Sequence, residues 1–289
     1  MTAADAVKEA AVRLAQGPHA ERARLDAETL LMHLLEANRA WLIANGDDEI
    51  GEQSASRYAE LVERRYRGEP IQYITGETEF YGLPFRVNPN VLIPRPETEH
   101  LVEQAIALAR EFTEPRIVEV GAGSGAIAVA LAVHLVGARI TTIDVSAEAL
   151  AVARENAARN AVSEQVRFLQ GDLLEPVAGE EFDLVVSNPP YVPEADRESL
   201  SVEVREYEPG QALFAGEDGL DVYRRLIPAA YAALAPGGYV LLEIGYGQAE
   251  GIRALLAGRG FEGIHFLPDL QGIARVACGR RESAAPVVK

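Results

Sequence analysis

Asn188-Pro189-Pro190-Tyr191 combines an amide, two prolines and an aromatic ring, a set suited to holding a flat, nitrogen-bearing group. The nitrogen of an amide or an aromatic amine has its lone pair drawn into a π system. It is a weak nucleophile that still carries two N–H donors. A site that accepts both N–H bonds can present this nitrogen to an electrophilic carbon. The Asn188 side-chain oxygen can accept one bond and the Pro189 carbonyl the other. Consecutive prolines fix φ and aim that carbonyl rigidly. Tyr191 can stack on the planar group. Catalysis would then rest on positioning and electrostatics, with no covalent intermediate. With Pro near 5% of residues, chance supplies such a tetrad in only about 1 in 1,000 chains of this length. A plain Pro-rich turn is therefore the weaker reading.

A second cluster surrounds Gly121-Ala122-Gly123-Ser124-Gly125, which follows Val118-Glu119-Val120. Glycines let the backbone turn sharply from a strand into a helix and let a ligand approach closely. Asp144 ends the next apolar run, where a carboxylate in this arrangement accepts from ribose hydroxyls. Gly121, Gly123 and Ala126 also satisfy the dinucleotide spacing, so the loop alone fits either NAD or S-adenosylmethionine. Three features favour the latter. Glu119 sits two residues before the first glycine, where a carboxylate suits a cation and repels a pyrophosphate. Gly171-Asp172-Leu173 follows the third strand, in place to meet an adenine edge. The chain also ends in two strands with no helix between them, as methyltransferases do. The competing readings are a strand-end charge for Glu119 and a turn or N-cap residue for Asp172.

These residues need a scaffold that brings strand ends together. After Pro115, strands are expected at Arg116 to Val120, Arg139 to Asp144, Val166 to Gln170, Phe182 to Ser187 and Gly238 to Ile244. Helices are expected at Ala126 to Leu135, Ala147 to Asn160, Leu220 to Leu234 and Gln248 to Arg259, and two last strands at Gly263 to Leu267 and Ile273 to Cys278. The runs Leu184-Val185-Val186 and Val240-Leu241-Leu242 suit strands buried on both faces. Such alternation predicts an α/β fold with a mostly parallel, doubly wound sheet and a terminal antiparallel hairpin. Before it, residues 1–70 carry helical periodicity, as in Ala6, Ala10, Leu14 and in Leu30, Leu31, Leu34, Leu35. The latter group is expected in the core. Residues 71–92, rich in Tyr, Phe, Ile and Thr among glycines, are expected to form a β-hairpin linker. The α/β domain then spans 93–281, and 282–289 reads as a flexible tail.

Composition narrows the function. The net charge of −17 over 289 residues repels phosphate backbones, so direct nucleic-acid binding is not expected. The one basic cluster, Glu63-Arg64-Arg65-Tyr66-Arg67, reads as the solvated end of a helix. One cysteine, Cys278, excludes an internal disulfide and suits a strand in the core. The five histidines show no metal-ligand spacing, and no P-loop is present. No stretch is long and apolar enough to span a membrane, and Met1 to Ala11 lacks the pattern of a signal peptide. A cytoplasmic protein is expected.

These motifs together resemble the peptide chain release factor glutamine methyltransferases, the PrmC/HemK family. The resemblance runs from about Ala23 to Val276. It includes Pro70 to Gly76, Arg95-Pro96-Glu97-Thr98-Glu99, Gly123 to Ala128 and the Asn188 tetrad. It continues through Tyr207-Glu208-Pro209, Asp218-Gly219-Leu220, Glu243-Ile244-Gly245, Gln248 and Asp269 to Arg275. The resemblance implies a Rossmann-like class I methyltransferase domain preceded by a helical substrate-recognition domain. It implies methyl transfer from S-adenosylmethionine to the glutamine of the Gly-Gly-Gln loop in class I release factors. Gly121 to Gly125, Asp144, Asp172 or Leu173, and Asn188 would contact the cofactor, and Asn188 to Tyr191 the glutamine. Ala122 stands where the family often has threonine, and Leu173 where some members carry an aromatic residue. The other readings are an amino-group methyltransferase of nucleic-acid bases, which would share the tetrad, and a non-catalytic module that binds the cofactor.

Overall fold

The computed structural model describes residues 1–283 and divides into two units. One is Met1–Glu77 with Leu200–Tyr207. The other is Thr78–Ser199 with the chain from Glu208 onward. Most of the expected tail, 282–289, lies outside the described residues.

The first unit is helical: α1 (Ala3–Leu14), α2 (Ala23–Leu34), α3 (Arg39–Ala44), α4 (Glu52–Tyr66) and α5 (Ile71–Thr75). Thr2 caps α1 by accepting from the Asp5 N–H, and Asn38 caps α3 by accepting from the Trp41 N–H. Ala6, Val7 and Leu14 pack with Leu30, Leu31, Tyr58 and Val62 in one apolar core. Leu34 and Leu35 sit at its margin. The basic cluster on α4 is spent on ion pairs within this unit. Arg64 pairs with Glu69, Arg67 with Glu63, and Arg65 with Asp26 at 2.6 Å. Arg65 is buried, contrary to the expectation of a solvated helix end.

Ile71–Thr75 departs from the expected hairpin. It is a helical turn that starts at Pro70 (φ −54°) and is capped by Gly76 in the left-handed region (φ 77°). Ile71 and Ile74, three residues apart, both bury in the helical core. That burial overrides the β preference of the side chains. The hairpin is confined to β1 (Glu77–Phe80) and β2 (Leu83–Arg86). Tyr81 and Gly82, both at positive φ, make its tight turn. Residues 200–207, expected within the α/β domain, cluster instead with the helical unit and carry α9 there. Glu203 holds this segment through Arg65 and His19, each at 3.1 Å.

The second unit continues with α6 (Thr98–Ala109), β3 (Arg116–Val120), α7 (Ala126–His134), β4 (Arg139–Asp144), α8 (Ala147–Arg159), β5 (Val166–Gln170) and β6 (Phe182–Ser187). α10 (Asp221–Ala233), β7 (Leu234–Glu243), α11 (Ala249–Arg259), β8 (Phe261–Pro268) and β9 (Ala274–Arg281) follow α9 (Val202–Tyr207) in sequence. The seven strands lie in the order β5-β4-β3-β6-β7-β9-β8. β9 alone runs antiparallel, between β7 and β8, as the missing helix between the last two strands requires. Side chains of β6 alternate between the two cores: Leu184 and Val186 face one, Val185 the other. Cys278 lies fully buried on β9, where burial pushes its thiol up to about 12. The chain leaves β3 toward β4 and β5 on one side and returns to β6 on the other. The switch point therefore falls between β3 and β6, where open α/β sheets bind ligands.

Candidate active site

The glycine loop and the Asn188 tetrad leave adjacent parallel strands at that switch point. Val120 pairs with Ser187 in the β3–β6 register, and the Ser187 hydroxyl donates to the Val120 carbonyl at 2.7 Å. A Cβ placed on Gly121 would lie 3.8 Å from the Asn188 carbonyl oxygen, so the two segments are neighbours. They wall one cleft, together with residues 90–92, Pro94, Arg95, Thr98, Pro209, Gln211, Ala212 and Arg225. Of the residues expected to act, Glu119, Gly121 to Ser124, Asp144, Asp172, Leu173 and Asn188 to Pro190 line it. Gly125 and Tyr191 do not.

The loop is tied to β4. Gly121 and Ala122 donate to the Ile143 carbonyl, and the Gly123 N–H donates to Asp144 Oδ2 at 2.9 Å. Asp144 Oδ1 accepts from the Ser146 N–H at 2.9 Å. Asp144 thus shapes the loop as well as facing the cleft. Gly125 (φ 80°) serves packing, because a Cβ there would stand 3.0 Å from the Ala153 Cβ of α8.

Glu119 is buried on β3, and its Oε2 accepts from the Thr142 hydroxyl at 2.5 Å. Its Oε1 has no hydrogen-bond partner. Burial, and to a lesser degree Asp144, pushes this carboxyl up to about 8 against the opposing Thr142 hydroxyl and the Ala128 N–H in the first turn of α7. A buried carboxylate oxygen without a donor fits a cationic ligand group in the cleft. Asp172 pairs with Arg225 across the cleft wall, a partnership the sequence did not signal. Leu173 adopts φ 49°, which sets the turn after β5.

Asn188 donates from Nδ2 to the Thr98 hydroxyl at 3.1 Å. That leaves its Oδ1 for the cleft. Tyr191 packs on the apolar core, its ring beside Gly245. The Gln248 amide donates to the Tyr191 carbonyl at 2.8 Å and so braces the exit of the tetrad. Gly219 (φ 74°) makes this possible, because a Cβ there would lie 2.2 Å from the Tyr191 carbonyl oxygen and 2.7 Å from Gln248 Nε2. Gly219→Ala is expected to destabilise the fold by about 2–4 kcal/mol, from left-handed strain plus overpacking. Equilibrium unfolding in denaturant measures this. An unchanged midpoint would contradict the assignment.

The sheet order, with a glycine loop and an Asn-Pro-Pro-Tyr turn at its switch point, defines a class I methyltransferase domain. In agreement, a family model described as methyltransferase small domain matches residues 98–204, and one described as PrmC N-terminal domain matches residues 5–76. The chain belongs to the release factor glutamine methyltransferase family. It is 44% identical to the Koribacter versatilis release factor glutamine methyltransferase over 262 residues, covering 90% of this chain and 92% of that one. With the Geobacter sulfurreducens protein of the same description it shares 45% over 260 residues, 90% of each chain. Among solved structures, the 16S rRNA N2 G1207 methyltransferase of T. thermophilus, in complex with AdoMet and guanosine, is similar. Its TM-score is 0.53 at 20% identity, covering 71% of this chain and 50% of that one, a likeness of fold.

Proposed function

We propose that the cleft binds S-adenosylmethionine and that the chain methylates the side-chain amide nitrogen of glutamine in the Gly-Gly-Gln loop of class I peptide chain release factors. The observation that carries this reading is the placement of Asn188 beside the glycine loop, on the wall of the same cleft. The residues present fit the cofactor. The Glu119 oxygen without a donor suits its amino group, Asp144 its ribose, and Asp172 with Leu173 its adenine edge. S-adenosylmethionine supplies an electrophilic methyl on a sulfonium. The chain's own residues orient the amide. Asn188 Oδ1 accepts one N–H and the Pro189 carbonyl the other, while Pro190 stiffens the turn. Stacking of Tyr191 on the amide belongs to the same reading and requires its ring to turn from Gly245 toward the cleft. The helical unit, Met1–Glu77 with Leu200–Tyr207, is assigned to substrate recognition, the β1–β2 hairpin to the link and the α/β unit to catalysis. The net charge of −17 favours a protein substrate over a nucleic acid. Among the described residues, no helix is long and apolar enough to cross a membrane, and no cluster of His, Cys, Asp or Glu could hold a metal ion.

The test is transfer of a labelled methyl group to purified class I release factor, duplex DNA and ribosomal RNA in parallel, with mass mapping of the product. Label confined to the loop glutamine is the expected result. Label in DNA or RNA would replace this reading with base amino-group methylation, and label in none of them with a binding module.

A further inference from the structure

Glu243 ends β7, next to β6 in the sheet, and only 2% of it is exposed. The roles given above to the glycine loop and the tetrad do not include it, yet the β6–β7 register, with Ser187 opposite Leu242, sets it beside Asn188. The polar side chains of Thr98 and Asn188 both act on its carboxyl to favour the ionised form. Thr98 is itself buried and accepts from Asn188 Nδ2 at 3.1 Å, so Asn188 and Thr98 form a bonded pair next to this carboxylate. The second carboxylate oxygen, Oε2, has no hydrogen-bond partner. A buried acid held this way costs stability, which asks for a function.

We propose that Glu243 is a positioning residue: with Thr98 it holds the Asn188 amide with Nδ2 inward and Oδ1 toward the reacting nitrogen. The proposal rests on the reading of Asn188 as the acceptor for the substrate amide. The two ends of a carboxamide have nearly the same shape, so a half-turn costs little in sterics but exchanges a donor for an acceptor. An ionised carboxylate only accepts. Turned over, the amide would set Oδ1 against that carboxylate, lone pair to lone pair, and its own NH2 against the substrate NH2. Both contacts are unfavourable in a buried site. A protonated Glu243 loses this discrimination, because its O–H can donate to Oδ1.

The orientation of Asn188 is therefore tied to the charge of Glu243. Burial pushes this carboxyl up to about 7. Glu97 raises it further, while the nearby polar side chains of Thr98 and Asn188 and the charge of Arg275 on β9 oppose the rise. Tyr191 and Tyr223 of α10 also face it, and the Tyr223 hydroxyl donates to the Glu243 backbone carbonyl at 2.5 Å. The sign follows: turnover rises with pH as Glu243 ionises and falls on the acid side of neutrality.

The test compares kcat against pH for wild type, Glu243→Gln and Thr98→Val with saturating release factor and S-adenosylmethionine. Cofactor affinity is measured beside it. Glu243→Gln is expected to lower kcat about 10- to 100-fold, keep the cofactor Kd within about twofold and abolish the acid limb. It removes a buried charge, so its melting temperature is not expected to fall. Thr98→Val, which keeps the carboxylate and deletes the shared hydroxyl, is expected to lower kcat in the same direction and keep an acid limb. It provides an independent answer should Glu243→Gln fail to fold. Wild-type kcat in either folded variant overturns the proposal. So does an acid limb that survives Glu243→Gln, which would belong to Glu119. Asn188→Ala separates the two levels. If it turns over normally, the reading of Asn188 fails. If it collapses while Glu243→Gln behaves as wild type, only the positioning role fails.

Discussion

Asn188→Ala is expected to lower turnover by about two to three orders of magnitude, the usual cost of deleting one preorganised polar group at a reacting centre. The cofactor Kd is expected to stay within a few-fold. The asymmetry comes from where the side chain is held. Its Nδ2 is engaged by Thr98 at 3.1 Å, so the amide is anchored from behind. What alanine removes is the acceptor proposed to hold the substrate amide. The glycine loop keeps its own bonds to β4 and does not depend on that side chain. Single-turnover methyl transfer, with calorimetry of cofactor binding, reads the two quantities separately. Equal losses in turnover and affinity would contradict the role. So would a raised KM for the release factor with unchanged kcat, which marks uniform binding.

The opposite pattern is expected for Asp144→Ala. Its two oxygens accept from the Gly123 and Ser146 N–H groups, each at 2.9 Å, and the side chain also lines the cleft. Hydrogen bonds to a charged acceptor are worth about 1.5–3 kcal/mol each. Their loss loosens the loop and removes the carboxylate proposed to face the ribose. Cofactor Kd should rise about 100-fold or more, by the same arithmetic. Because Asn188 is carried by β6, kcat at saturating cofactor should change only a few-fold. Asp144→Asn keeps one acceptor oxygen and should fall between the two. A large fall in kcat with unchanged Kd would reverse the assignment of roles between the two strand ends.

Much of this architecture is legible in the chain because its signals are contiguous. The strands at 116–120, 139–144, 166–170 and 182–187 are apolar runs cut off by glycine, aspartate or asparagine, and each occupies the expected residues. The glycine loop and the tetrad are likewise unbroken stretches, and topology alone brings them together. What could not be read depends on contacts between distant segments. Ile71–Thr75 carries β-prone side chains, yet forms a helical turn because Ile71 and Ile74 find the helical core. Thr98 and Glu243 stand out only by resemblance, with no hint that both would meet Asn188. Arg225 comes to the cleft from α10 with no local signal at all.

The inward anchoring of the Asn188 nitrogen also bears on damaged substrate. Glutamine side chains deamidate to glutamate, which has the same outline and no hydrogen to give. Against the proposed pair of acceptors, Asn188 Oδ1 and the Pro189 carbonyl, an ionised glutamate meets repulsion instead of two bonds. Sites built around a substrate's N–H or O–H reject an analogue lacking it far more strongly than apolar pockets reject a missing methylene. A release factor with a deamidated loop would thus go unmodified, and the absence of the methyl group would mark it as chemically aged.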